Sequence, residues 1–364
     1  MCLPGRTQHQ LRLHCPEPAR FGDPVAHSGR LTVRGEYYLA PTDRRAALDG
    51  ADPVKWVDSD LRLAVTGYRT KPSMDPLQLL VNGIALGSII ALAAVGLTLT
   101  FGILRLPNFA HGDFMTLGAY ATLLANVNFG WNIWLSTIFG AIATVAAMLL
   151  AERTLWQPMR QVRAQPTTLI VISIGLALFI RSAILMVWGG TNLSYDLPVV
   201  PAIALPPDDP IVRIAFNRIV VVILSIVAIV ALHFFLQRSK VGKAMRAVAD
   251  NIDLARVAGI NVERVVLWTW AIAGVLTAAG GATYGLIAAV RPNMGWFLIL
   301  PMFAATILGG IGNPYGAIAG AYTIGIAQEL SVPLLGSQYK LGVALFLMTI
   351  VLLVRPQGLF KGTL

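Results

Sequence analysis

Three residues that could do chemistry fall within six positions of the stretch LRLPNFAHGDFMTLGAY (Leu104 to Tyr120): Asn108, His111 and Asp113. An imidazole two places from a carboxylate could share a proton or hold a metal. After residue 74, however, the only other histidine is His233, and neither His nor Asp/Glu recurs at ligand spacing. The expectation is therefore no catalytic residue, no metal and no cofactor. His111 is then either a hydrogen-bonded support for a helix start or part of a polar pathway. Arg181 is a second oddity, a single cation inside IGLALFIRSAILMVWGG. An ionisable residue at membrane depth is a functional candidate, although Arg181 could also snorkel toward the interface near Trp188. Gly112 follows His111 directly, and Gly310 and Asn313 lie in a late cluster, GGIGNPYGA. Asn108, His111, Gly112, Asp113, Arg181, Gly310 and Asn313 form the candidate pathway set. The phosphate-loop pattern G-x-x-x-x-G-K-[ST] occurs nowhere in the chain, so any nucleotide chemistry would sit on another chain.

The elements that must position these residues are hydrophobic spans. Of 364 residues, 56% are hydrophobic and 13% charged, with a positive mean hydropathy. That composition argues against a soluble domain and for helices that cross lipid, where every backbone amide needs an internal partner. Apolar segments run over 77–99, 108–125, 131–151, 168–188, 219–235, 265–289, 297–311, 317–330 and 341–354, eight or nine spans because several late ones are short. The fold class expected is all-α, a polytopic transmembrane bundle. Residues 1–73 differ: they hold 11 Lys/Arg, 8 Asp/Glu and both cysteines, and no apolar leader. They read as a disordered or non-native extension, with Met74 as a candidate start and 74–364 as the membrane domain.

Basic residues cluster in three connections: Arg153, Arg160 and Arg163; then Arg238 through Arg264; then Arg355 and Lys361. The positive-inside rule puts these in the cytoplasm, with the C-terminus, and the segment GGTNLSYDLPVVPAIALPPDDP outside.

Two breaks interrupt the spans. Pro107 makes Leu106 extended and Asn108 can cap a new helix, while Gly309, Gly310 and Gly312 before Asn313 and Pro314 repeat the logic. Paired broken segments point to a transport pathway. The connection RSKVGKAMRAVADNIDLARVAGINVERV is more organised than a linker. Val241, Ala244, Met245, Val248, Ile252 and Ala255 make one apolar stripe, Asn251 can cap a second short helix, and Gly259 can end it. Such a pair could plug into a partner groove or lie on the anionic leaflet.

The stretches NGIALGSIIALAAVGLTLTFGILRLPNFAHGDFMTLGAY, GKAMRAVADNIDLARVAGINVERV, AATILGGIGNPYGAIAGAYTIGIAQE and VLLVRPQGLF resemble the LivH-type inner-membrane permease subunits of branched-chain and neutral amino-acid ABC importers. The resemblance implies a bacterial inner-membrane permease working by alternating access with a second homologous permease, two cytoplasmic ABC ATPases and a periplasmic substrate-binding protein, with membrane lipid around it and no nucleic acid. It also implies a coupling loop, 237–264, whose Val241, Gly242, Met245, Ala247, Val248, Asp250, Ile252 and Gly259 serve ATPase coupling. The stripe Val241, Met245, Val248 and Ile252 is expected to face the ATPase. A permease for urea or short amides is the near alternative, and an ion-coupled secondary transporter the distant one.

Overall fold

The computed structural model describes residues 75–198, 200–205, 212–355 and 357–360, without the side chains of 204, 205 and 212. The expectations for residues 1–73 and for Met74 lie outside the described residues.

Each expected apolar segment falls in a helix. The long first helix α1 (Pro76–Leu104) is followed by α2 (His111–Leu123), which runs into a π-helical turn at Leu124–Asn128. Next come α3 (Ile133–Ala151), a second π-helical turn at Glu152–Trp156, the short α4 (Gln157–Gln161) and α5 (Pro166–Trp188). A small antiparallel ribbon, β1 (Ile203–Leu205) and β2 (Val212–Ile214), pairs Ile203 with Ile214. Then follow α6 (Phe216–Arg238), α7 (Lys240–Asp250), α8 (Ile252–Val257), α9 (Val262–Ile287), α10 (Met294–Gly309), α11 (Pro314–Leu330), α12 (Val332–Leu335) and α13 (Lys340–Val354). Seven helical stretches are long and apolar enough to cross a membrane; α10 is a shorter apolar helix. The first strand of the ribbon lies within the stretch read from sequence only as an outer connection, and the second just beyond it.

The bundle is built around α1, which packs against α6, α9, α10 and α11 and is buried along most of its length. Between lipid-compatible surfaces no hydrophobic force draws helices together, so close backbone approach must supply the attraction. The glycines do this where α1 meets α11: a Cβ on Gly325 would stand 2.5 Å from the Gly87 nitrogen. At one end of the bundle, Leu193 and Val290 exchange backbone hydrogen bonds of 3.0 and 2.8 Å, and the Asn126 side chain joins the Trp131 carbonyl to the Asp196 amide. The other end carries the α7–α8 pair.

Candidate transport site

The site is built where α1 stops and α2 starts. Arg105 takes a left-handed conformation, φ 51°, and its amide donates to Phe101, closing α1. Asn108 closes the following turn by accepting from the Ala110 amide at 3.0 Å. Asn108, expected to cap the new helix, lies two residues ahead of the cap position, since α2 begins at His111 with Ala110 as its flanking residue. Asp113 lies in the first turn of α2, where the helix dipole favours a carboxylate.

Arg181 reaches Asp113 from α5. Its Nε and Nη2 donate to Asp113 Oδ1 at 3.1 Å each, and Nη2 also donates to Oδ2 at 3.0 Å. The guanidinium lies 4.7 Å from the ring centre of Trp296, at the start of α10. The side chains are 1% and 16% exposed for Asp113 and Arg181 respectively, so Arg181 turns into the bundle and does not snorkel outward. A buried pair in such a setting is held by geometry and hydrogen bonding against the cost of leaving water.

His111, two residues before Asp113, bridges α1 and α9. Its Nε2 lies 3.0 Å from the Ala93 carbonyl of α1 and 3.0 Å from Thr277 Oγ1 of α9. Thr277 gives its proton to the Ala273 carbonyl at 2.6 Å, so Nε2 is the donor to both and the ring is the Nε2–H tautomer. Nδ1 is left as a buried acceptor without a partner. Gly112 and Gly295 bring α2 and α10 into backbone contact: a Cβ on Gly112 would fall 2.3 Å from the Gly295 oxygen, and the Gly295 amide donates to Thr116 Oγ1 at 3.0 Å. The space beside Gly112 is occupied by backbone.

The second break is a capped turn. Gly310 and Gly312 take φ of 104° and 86°, and Asn313 accepts from the Tyr315 and Gly316 amides at 3.0 and 3.2 Å, with Pro314 in the first turn. Among the described residues no hydrogen bond joins it to the first break. Both meet α1, the second through Gly312 to Thr98 at 3.1 Å and the first through His111 to Ala93. Those anchors are five residues, roughly 7.5 Å, apart on the helix.

The α7–α8 pair has the caps expected of it. Ser239 accepts from the Gly242 amide at 2.8 Å and Asn251 from the Asp253 and Leu254 amides at 3.0 Å each. Gly259 ends α8 with φ 81°, and the Ile260 amide returns to the Ala255 carbonyl at 3.0 Å. The orientation of the stripe differs from the expectation. Met245, Val248 and Gly242 are buried within this chain, in contact with the ends of the spans, and Val241 and Ala247 are half-buried. Of the stripe only Ile252 is on the surface; with it are Leu254 and Val257 of α8, and Asp250 and Gly259 are also exposed. The apolar periodicity is satisfied by the chain's own helices, so a partner would meet the opposite side.

A third polar cluster was not legible from sequence. Glu152, in the π-helical turn, accepts both Nη1 and Nη2 of Arg160, and Oε2 also accepts Trp270 Nε1 of α9 at 2.7 Å. Arg160 lies a further 3.9 Å from Glu263, just after the α8 turn. Arg160 had read simply as a loop cation. No local signal links it to Glu152, because an eight-residue separation matches no regular helical contact.

These features define a multi-pass helical membrane protein with a buried ion pair at a broken helix and an amphipathic helical pair at one end, the anatomy of a transport subunit. The chain matches, over residues 79–354, the family described as branched-chain amino acid transport system / permease component, and it belongs to that family. It is 30% identical over 295 residues to the high-affinity branched-chain amino acid transport system permease protein LivH of Escherichia coli, covering 78% of this chain and 94% of that one. It is 30% identical over 300 residues to BraD of Pseudomonas aeruginosa, described as a permease of the same kind, covering 78% and 95%. A probable LivH of Methanocaldococcus jannaschii is 29% identical over 306 residues, covering 77% and 91%. The chain is accordingly a transport permease component.

Proposed function

We propose that this chain is one permease subunit of an ATP-driven importer of branched-chain and neutral amino acids in a bacterial inner membrane, with its C-terminus in the cytoplasm. The observation that carries the reading is the family match across the whole helical unit, 79–354. That match does not favour the ion-coupled alternative. Two ABC ATPases, a second permease and a periplasmic binding protein complete the assembly. ATP-driven closure of the ATPases moves the 237–264 loop, and the bundle alternates between outward and inward openings around the α2 break. Within the loop, Gly242, Met245 and Val248 fasten α7 to the spans, while Ile252, Leu254 and Val257 present an apolar patch beside Arg256 to the ATPase. The stretch 1–73 is dispensable.

Uptake of radiolabelled leucine into vesicles containing the four membrane components, with external binding protein and internal ATP, tests the assignment. Uptake should require every component and survive deletion of residues 1–73. Leucine uptake driven by an ion gradient without the ATPases would overturn it.

A further inference from the structure

On the surface of the bundle, α3 and α9 leave a groove of about 490 Å³ between them, and two arginines line it: Arg153 from the π-helical turn that follows α3, and Arg264 from the first turn of α9. The rest of its wall is apolar, with Leu149 and Leu150 on one side and Leu267 and Trp268 on the other, and no Asp or Glu lines it. The acids nearest in sequence belong to a different arginine. Glu152 turns inward to Arg160 and Trp270, and Glu263 lies 3.9 Å from Arg160. Among the described residues, neither Arg153 nor Arg264 has an ion-pair partner. The groove also continues away from its charged end. Ala146, Leu149, Trp268 and Ala271 line a second groove as well, of about 820 Å³, which runs on between α3, α6 and α9 to Val275 and Leu276 and has no charged side chain in its wall.

We propose that this furrow binds one phospholipid with a net anionic headgroup, Arg153 and Arg264 taking the phosphate oxygens while an acyl chain lies along α9. Length and charge both fit. From Arg264 to Leu276 is twelve positions of one helix, roughly 18 Å, against the roughly 15 Å of hydrocarbon in one leaflet, half of a ~30 Å core. The furrow therefore begins at headgroup level and ends near the bilayer centre. A guanidinium presents a planar fork that matches phosphate oxygens, and basic pockets between membrane helices recruit anionic headgroups. A zwitterionic headgroup would bring its own ammonium to two cations that have no acid beside them, so the furrow selects against it. The leaflet is the cytoplasmic one in the orientation proposed above; the match of two arginines to one furrow does not depend on that orientation. The bound phosphate also has a mechanical role. Asn261 caps α9 by accepting from the Arg264 amide at 3.0 Å, just after Gly259 ends α8, so a headgroup shared by Arg264 and Arg153 ties the α8–α9 corner to the end of α3 from the lipid side, as Glu152 and Trp270 tie the same two helices from inside.

The test uses the full chain with the subunits that co-purify with it, delipidated in mild detergent, and counts bound lipid by native mass spectrometry. The probes are dioleoylphosphatidylglycerol, dioleoylphosphatidylethanolamine and glycerol phosphate, which carries the phosphate without the chains. Phosphatidylglycerol should be retained at the lowest concentration of the three. Arg153→Gln and Arg264→Gln should each raise its half-saturating concentration about fivefold, the loss of one basic contact. Ala146→Trp, which fills the furrow and leaves both arginines in place, should weaken phosphatidylglycerol retention too. If an arginine variant does not assemble, the comparison of probes and Ala146→Trp decide. Equal retention of the two lipids, unmoved by the arginine variants, would show ordinary annular lipid and overturn the site. Glycerol phosphate binding as tightly as phosphatidylglycerol would show a phosphate site without a lipid, and full retention by Ala146→Trp would place the lipid elsewhere; either overturns it. So does an Ala146→Cys chain that maleimide cannot label in the delipidated complex, because a protein subunit then covers the furrow. A preparation that retains phosphatidylglycerol as expected but shows no ATP-dependent leucine uptake removes the permease reading and leaves the lipid site standing.

Discussion

Two buried ion pairs in this chain are built to opposite ends. Glu152 and Asp113 are each about 1% exposed and each accepts a two-pronged guanidinium, from Arg160 and Arg181. Glu152 has a further donor, Trp270 Nε1 at 2.7 Å, so its oxygens are fully engaged by two separate elements. Asp113 has Arg181 as its one side-chain partner among the described residues, and that guanidinium also lies against the Trp296 ring. A carboxylate with donors from several directions is a clamp, since no single movement frees it. One held by a single side chain depends on that partner alone. The same pair of residue types thus forms a multiply held clamp at the end near α7 and α8 and a singly partnered pair at the α2 break.

Breaking the clamp should have the largest effect. Glu152→Ala leaves the Arg160 guanidinium and the Trp270 N–H without their acceptor and should cost about 3–5 kcal/mol, the range for removing one partner of a buried pair. Thermal unfolding of the purified subunit complex should show a large downward shift, with uptake lost in proportion to folded protein. If Glu152→Ala unfolds at the wild-type temperature, Glu152 is no clamp.

The residue next to Asp113 should behave like the clamp and unlike its neighbour. Gly112→Ala places a methyl 2.3 Å from the Gly295 oxygen, and backbone cannot give way as a flexible side chain would. A destabilisation of about 1–3 kcal/mol is expected, typical of overpacking. Unfolding of Gly112→Ala and Gly295→Ala, singly and together, checks it: because both relieve or strain one contact, the double variant should cost less than the sum.

Asp113→Asn sharpens the contrast from the other side. Transport should fall about tenfold or more per folded molecule, equivalent to about 1.4 kcal/mol, with a smaller thermal shift than Glu152→Ala. Leucine uptake normalised to assembled complex is the measure. Uptake unchanged, or a thermal shift as large as that of Glu152→Ala, would make the two pairs equivalent.

The spans were legible because lipid leaves the backbone no alternative to helix, so apolar length located the seven helical stretches long enough to cross a membrane and the shorter α10. The local capping chemistry was legible for the same kind of reason: Asn313, Asn251 and Gly259 act within their own turns, at distances the sequence itself specifies. The pairings were not. Asp113 and Arg181 are 68 positions apart, and Glu152 and Trp270 are 118 apart. Each residue could be singled out as an unusual charge or left unnoticed, but its partner depends on which helices pack together. The α7 stripe shows the limit most plainly: helical periodicity states that Met245 and Val248 must be covered, and it is silent on whether the cover is another protein or the chain's own spans.

That ambiguity yields the prediction with the smallest effect on the chain itself. Val257 is 86% exposed and Leu254 67% exposed, so a charge at either position meets water in the isolated permease and should alter its stability by no more than about 0.5 kcal/mol. If α8 is the face that meets an ATPase, the same charge is buried on assembly without a partner. Val257→Asp should therefore leave the permease folded and inserted while reducing the ATPase that co-purifies with it and uncoupling ATP hydrolysis from loaded binding protein. Met245→Glu should act differently. Met245 is 2% exposed, and its charge would be forced among the chain's own helices, so thermal stability should fall before any question of docking arises. Measuring both quantities on both variants separates the two faces. Full ATPase recovery with Val257→Asp, together with a stable Met245→Glu that has lost its ATPase, would mean that the buried stripe turns outward in the complex and that α7 rearranges on assembly.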